Sequence, residues 1–254
     1  MTFVSPETVA CESEAPAALG PLRIVSFNMH AAQSSSLEEV ISLLRELEPD
    51  VVALQEVDRE TERSGFIDQA AEIAAALRME YAYAATRVEG TGDYGVAFLS
   101  SVPFADTSRI ELPENFSWEP RVALKATLCG ATGPISFFNL HADVWPWSSA
   151  TQIQYLVTQV EKASSTDAIV LGDFNATIEQ DGIAAFHSGA WFDVMSNLAD
   201  LPTFVGMPFP RRIDHIFTSA TLARAVDDAG VYRSAVSDHF PIWVDMVFPA
   251  SPPR

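Results

Sequence analysis

One local pattern constrains this chain more than any other. Short apolar runs recur, and each is followed by a polar residue able to engage phosphate or metal. Residues 22–27 (LRIVSF) run into Asn28, and residues 51–54 into Gln55-Glu56. Residues 135–140 run into His141, and residues 168–171 into Gly172-Asp173-Phe174-Asn175. Asp214 sits at the start of the run 212–218, and Asp238-His239 stands just before the run 242–247. Apolar runs of this length, bounded by turn-forming residues, predict buried strands. Residues 81–85, 95–100 and 122–128 add further strands. Between them, Leu37–Leu47 carries apolar residues at helical spacing and is stopped by Pro49 and Asp50. Residues 67–77 and 150–163 predict two more helices. The alternation implies a strand-rich α/β or α+β fold, not a helical bundle. Strand ends and the loops after them are where a rigid scaffold commonly presents a site.

Composition narrows the class. Hydrophobic residues are 48% of the 254, which excludes disorder as the main character. Residues 1–20 are acidic, rich in Ala and Pro and without periodicity, and predict a flexible tail; residues 250–254 predict a short C-terminal one. Asp plus Glu is 34 against 15 for Lys plus Arg, a net charge of −19. That charge opposes tight, non-specific nucleic-acid binding, which depends on Lys and Arg neutralising phosphates. It leaves room for an acidic metal site acting on a phosphate ester. Cys11 and Cys129 make neither a disulfide framework nor a zinc cluster. A reducing compartment is the simple reading, with a single bridge as the alternative. No stretch is long and apolar enough to span a membrane, and the N-terminus lacks the features of a secretory signal. The expected location is cytoplasmic, although an exported domain without its signal has the same composition.

Each polar motif has a plain reading beside a chemical one. Gly172-Asp173-Phe174-Asn175 is an ordinary turn, or places a carboxylate and an amide against a phosphate. Asp238-His239 pairs a carboxylate with an imidazole, the side chain best suited to proton transfer near neutral pH. In Arg212–Phe217, period-2 alternation sets Asp214 and Ile216 on one face and Ile213, His215 and Phe217 on the other. Asp214 then either orients a catalytic histidine or pairs with Arg211 or Arg212. Glu56 suits Mg²⁺, a hard ion that prefers oxygen, and Asn28 could share that ion. His141 is a phosphate donor or a structural histidine, and Arg121 a phosphate contact or a structural charge. Trp145-Pro146-Trp147 forms loop packing in preference to an aromatic wall beside the site.

Taken together, FNMH, LQEVD, YGVAFLS, EPR, NLHAD, GDFNA, RIDHIF and SDHFPI follow one another from about Leu22 to Val247. Any one is weak, but in this order they resemble the endonuclease/exonuclease/phosphatase superfamily over nearly the whole chain. The resemblance implies one domain, residues 21–249, built as a four-layer sandwich of two mixed β-sheets flanked by helices. It implies a cleft at one end of the sheets and hydrolysis of phosphate esters with Mg²⁺, or Mn²⁺ as a substitute. Glu56 matches the principal metal ligand, Asn28 the asparagine beside the metal, and Asp238 a further metal-site carboxylate. Asp173 and Asn175 match the pair that positions water and phosphate. His239 matches the histidine of water activation, Asp214 the carboxylate that orients it, and His141 a second histidine at the phosphate.

Two departures bear on substrate. Abasic-site nucleases of the superfamily carry Asp where this chain has His30, and many members carry Asn where it has Val96. Both departures, with the net charge, favour a phosphodiesterase on a small or lipid-like substrate. A DNA or RNA endo- or exonuclease is the alternative, with nucleic acid as partner. A non-catalytic binding module ranks last, because each expected metal and histidine position is filled. Oligomeric state is not legible.

Overall fold

The structure is a computed structural model that describes residues 2–7, 11, 20–114, 119–130, 133–163, 167–207 and 210–248. Its elements, in chain order, are β1 (Phe3–Val4), β2 (Leu22–Asn28), α1 (Leu37–Leu47), β3 (Val51–Arg59), α2 (Gln69–Leu77), β4 (Glu80–Glu89) and β5 (Gly92–Ser100). There follow β6 (Asp106–Glu111), β7 (Val122–Gly130), β8 (Gly133–His141), α3 (Pro146–Lys162), β9 (Ala168–Asp173), β10 (Trp191–Asp193), β11 (Asp214–Ser219), β12 (Val226–Val231) and β13 (Ile242–Met246). One sheet has the order β1-β4-β5-β3-β2-β13-β12 and the other β10-β11-β9-β8-β7-β6. Each is antiparallel except at one pair, β2 with β3 and β8 with β9. Parallel neighbours need a crossover connection, and α1 and α3 supply the two. The expected four-layer sandwich of two mixed sheets is present.

Side-chain alternation sorts the apolar residues into three cores. Ile24, Val96, Phe137, Ile169 and Ile216 face the other sheet. Val25, Phe27 and Leu54 face α1 and α2, and Phe138, Val170 and Phe217 face α3. The helices are set by local chemistry. Ser36 accepts from the Glu39 N–H while the Glu39 carboxylate accepts from the Ser36 N–H, a reciprocal cap that satisfies two end donors of α1. Val40, Leu43, Leu44 and Leu47 form its buried face, and Glu48 ends it in the left-handed conformation. Asp68 caps α2, and Pro146 opens α3, four residues before the expected start.

The expected flexible tail does not hold for the described part of residues 1–20. Phe3 and Val4 pair with Ala84 and Tyr83 of β4, and the Ser5 hydroxyl lies 2.7 Å from that of Thr107 on β6. Cys11 and Cys129 are joined in a disulfide, the single bridge that stood as the alternative to two free thiols. Main-chain pairing and a covalent link hold this segment, and neither leaves an apolar period to read. Residues 249–254, the expected C-terminal tail included, lie outside the described residues. Among the described residues no helix is long and apolar enough to cross a membrane.

Candidate active site

The site continues the core between the sheets. On β2 the inward side chains run Ile24, Ser26, Asn28; on β8, Phe137, Asn139, His141; on β9, Ile169, Leu171, Asp173. The stripes turn polar over their last two inward positions on β2 and β8 and at the last one on β9, at the carboxyl ends of the two parallel pairs, where open α/β sheets place ligands. Register brings His141 and Asp214 level with Asp173 on either side. Gly172 has φ 137°, and a Cβ there would stand 2.0 Å from the Leu140 carbonyl oxygen, so this approach requires glycine. Beneath the polar ends, Gln55 donates to Ser26 and Asn139, and Asn139 donates to the Leu54 and Ala97 carbonyls.

Glu56 reaches the site because β3 bulges. Leu54 pairs with Ala97 and Val57 with Gly95, which leaves Gln55 and Glu56 opposite Val96 alone. Glu56 takes φ 56°, a cost for a residue with a Cβ. Plain alternation would turn Glu56 toward the helices and Val57 toward the other sheet. The extra residue reverses that parity: Val57 packs with α1 and α2, and Glu56 Oε1 lies 3.0 Å from Asn28 Nδ2. The same nitrogen is 3.0 Å from Asp173 Oδ2. Asn28 Oδ1 accepts from the His30 N–H, so Asn28 offers its donor, not its oxygen, to the two carboxylates. Val96 packs in the core between the sheets and is not among the residues that line the cleft.

Asp214 and His239 are buried together, with Nδ1 2.9 Å from Oδ2. The Thr203 hydroxyl accepts from the Ile213 and Asp214 N–H groups. The Ser237 hydroxyl donates to the Asn28 carbonyl and accepts from the His239 N–H. His239 Nε2 lies 3.6 Å from Asp173 Oδ2. Burial opposes a charge on His239, but Asp214 and Asp173 outweigh it, and its pKa is raised. Burial, joined by Asp214, raises the Asp173 carboxyl against the pull of His239 and the Asn175 N–H. His141 is the opposite case: burial, then Arg121 and His239, hold it well below the usual imidazole range. Arg121 Nη1 is 3.0 Å from His141 Nδ1.

Glu56, Asp173, His141, Arg121 and His239 line an open cleft of about 340 Å³ that also includes Tyr94, Arg87, Arg211, Phe204, Asn175 and Asp238. Asn175 Nδ2 donates to the Ala142 carbonyl, and its own N–H donates to Asp173 Oδ1. Of the carboxylates in the cleft, Glu56 and Asp173 are drawn together by the Asn28 amide, and hard oxygen donors fit a divalent cation. Asp173, Asp214 and His239 also lie within ligand distance of one another. Asp214 Oδ2, however, already accepts from His239, which suits a hydrogen-bonded pair better than a metal cage. Asp238 stands at the rim, 3.7 Å from His30 Nδ1.

Sequence reading reached Asn28, Glu56, His141, Asp173, Asn175, Asp214, His239 and Asp238, and the fold gathers them all at one end of the sheets. It assigned no role to Ser237, Gln55 or Asn139, whose signal was only their place in the quoted motifs, or to Thr203, which lies outside them and carried no signal. Arg121 faces His141 and Glu119. Of the segment after His141, Val144 lines the cleft, while Trp145 and Trp147 stack on each other with centroids 5.2 Å apart and remain exposed.

A family model, the Endonuclease/Exonuclease/phosphatase family, matches residues 25–239. No curated protein matches the chain. Among solved structures, an endonuclease/exonuclease/phosphatase family protein from Leptotrichia buccalis superposes with a TM-score of 0.74 at 19% identity, covering 89% of this chain and 100% of that one. One from Bacteroides thetaiotaomicron gives 0.71 at 23%, covering 90% and 98%. An AP endonuclease from Archaeoglobus fulgidus gives 0.68 at 19%, covering 89% and 99%. At these identities the likeness is one of fold.

Proposed function

Because the chain belongs to the endonuclease/exonuclease/phosphatase family, we propose that it is a Mg²⁺-dependent phosphoric ester hydrolase, acting on a phosphodiester. The observation that carries this reading is the Asp214–His239 pair, aimed past Asp173 at a cleft that Glu56 enters from a strained bulge. Glu56 and Asp173 would hold the ion, with Asp238 at the rim and Asn28 orienting both carboxylates. A bound divalent cation supplies charge neutralisation at the phosphoryl oxygens and polarises the ester. Asp214 holds His239 through Nδ1–H, so that when the ring is neutral Nε2 is the atom that accepts the proton of the attacking water. Asp173 and Asn175 position that water, and His141 donates to the phosphate.

A small or lipid-like diester suits a cleft of this size on a chain of net charge −19. The nuclease alternative draws support from Arg87, Arg121 and Arg211 in the cleft and from the superposed AP endonuclease. The Cys11–Cys129 bridge favours an oxidising compartment over the cytoplasmic placement. The test is Mg²⁺-dependent hydrolysis of bis(p-nitrophenyl) phosphate and nicking of supercoiled plasmid at low salt, each beside His239→Ala. Hydrolysis of the small diester by the unaltered protein alone supports the reading. Nicking that falls steeply with salt supports the nuclease, and turnover preserved in His239→Ala overturns the assignment.

A further inference from the structure

The two histidines of the cleft are held by partners of opposite character. His239 Nδ1 meets a carboxylate, which only accepts, so that nitrogen carries a proton. His141 Nδ1 meets the Arg121 guanidinium, which stays charged and only donates. His141 Nδ1 must therefore accept, and the ring proton is displaced to Nε2. We propose that Arg121 is a positioning residue that fixes His141 in its Nε2–H form, making it a neutral hydrogen-bond donor to the substrate's phosphoryl oxygen and not a second proton acceptor. This rests on the hydrolase reading above.

The surroundings are built for that role. His141 Nε2 lies 3.7 Å from Asp173 Oδ2 and 3.9 Å from Glu56 Oε1. Both distances exceed a hydrogen bond, so the proton points between the two carboxylates with no acceptor among the described residues. An oxygen entering the cleft there would accept it. Arg121 itself is 4% exposed and comes one residue before β7, whose Ala123 pairs with Leu140. Continued one step, that register sets Val122 level with His141, and the arginine side chain reaches the imidazole from just outside the strand end. Glu119 accepts from Nη2 at 3.2 Å and is also held by Arg87 at 3.1 Å, which fixes the guanidinium from behind. Among the described residues Arg121 Nε finds no partner, while Nη1 is spent on the imidazole.

The experiment is the ring ¹⁵N spectrum of His141 in metal-free protein at about pH 7.5, assigned by the signals lost in His141→Gln. The expected result for the unaltered protein is a protonated Nε2 and a bare Nδ1. A protonated Nδ1, or an average of the two forms, overturns the proposal without any variant of Arg121. Arg121→Met should move His141 to a mixture and Arg121→Lys should restore the Nε2–H form. A tautomer unchanged in a folded Arg121→Met protein would also overturn it. On bis(p-nitrophenyl) phosphate, Arg121→Met should lower kcat about tenfold or more, with KM within about twofold, since one donor is lost to the transition state. A shifted tautomer with unchanged kcat overturns the role of the donor. If the unaltered protein hydrolyses no phosphate ester, the hydrolase reading fails, and the spectrum still decides the Arg121–His141 relationship.

Discussion

Asn28 and Asp173 join the two sheets at the floor of the cleft: the amide nitrogen of one lies 3.0 Å from Oδ2 of the other, across 145 residues of chain. Both side chains are buried, and the same amide also holds Glu56. Asn28→Ala should therefore weaken the fold as well as the site. A buried carboxylate deprived of a donor costs about 1–3 kcal/mol. The urea midpoint should fall accordingly, with turnover falling further. A variant of native stability would mean that the amide does not bridge the sheets in solution.

Asp214 and His239 act as one unit, so their losses should not add. His239→Ala is expected to lower kcat by about 10²–10⁴. Asp214→Asn should lower it too, by removing the carboxylate that orients Nδ1–H. The double variant should be no slower than His239→Ala alone. Steady-state rates of the three proteins decide this, and a multiplicative loss would mean independent roles.

Two buried histidines should make the protein acid-sensitive. Burial, then Arg212, pushes His215 down, and burial, then Arg121, pushes His141 well down. In the unfolded chain both titrate near 6.5. Below that value the unfolded chain binds protons that the folded chain refuses. Their contribution is thus intact above about pH 6.5 and is lost as pH falls toward the folded values. His215 donates from Nε2 to the Ala176 carbonyl, an interaction His215→Gln can retain. That variant should flatten stability against pH by about 1.4 kcal/mol per unit between roughly pH 6 and 4.5. Equal slopes in chemical denaturation would refute the buried neutral form.

The bridge between Cys11 and Cys129 closes a separation of 118 residues and pins the N-terminal segment to β7. Cross-links over long loops typically contribute about 2–4 kcal/mol, in part by restricting the unfolded chain. Melting with and without reductant should show a lower Tm in the reduced protein. Identical transitions would mean that the link adds no constraint.

Much of the site was legible because strand alternation carries each inward stripe from an apolar start to a polar end. Asp214 falls on the face opposite His215 as period two requires, and His215 packs among Phe174 and Phe217. The reversal at Glu56 was not legible. A run ending at Gln55-Glu56 has no local mark of a bulge, which exists only because Val96 on the neighbouring strand faces two residues. The pairing of β1 with β4 left no trace either, since a two-residue edge strand is held by main-chain groups common to every sequence.

The amino-acid sequence by itself determined the family, the order of the three helices and of nine of the thirteen strands, and which polar residues stand at the strand ends, because periodicity and turn chemistry are local. Tertiary structure decided how those residues are employed. It turned the Asn28 donor onto two carboxylates, set Arg121 against His141 and Asp214 against His239, and packed Val96 in the core between the sheets. Those outcomes depend on distance and direction between strands of two sheets, which no single segment of chain contains.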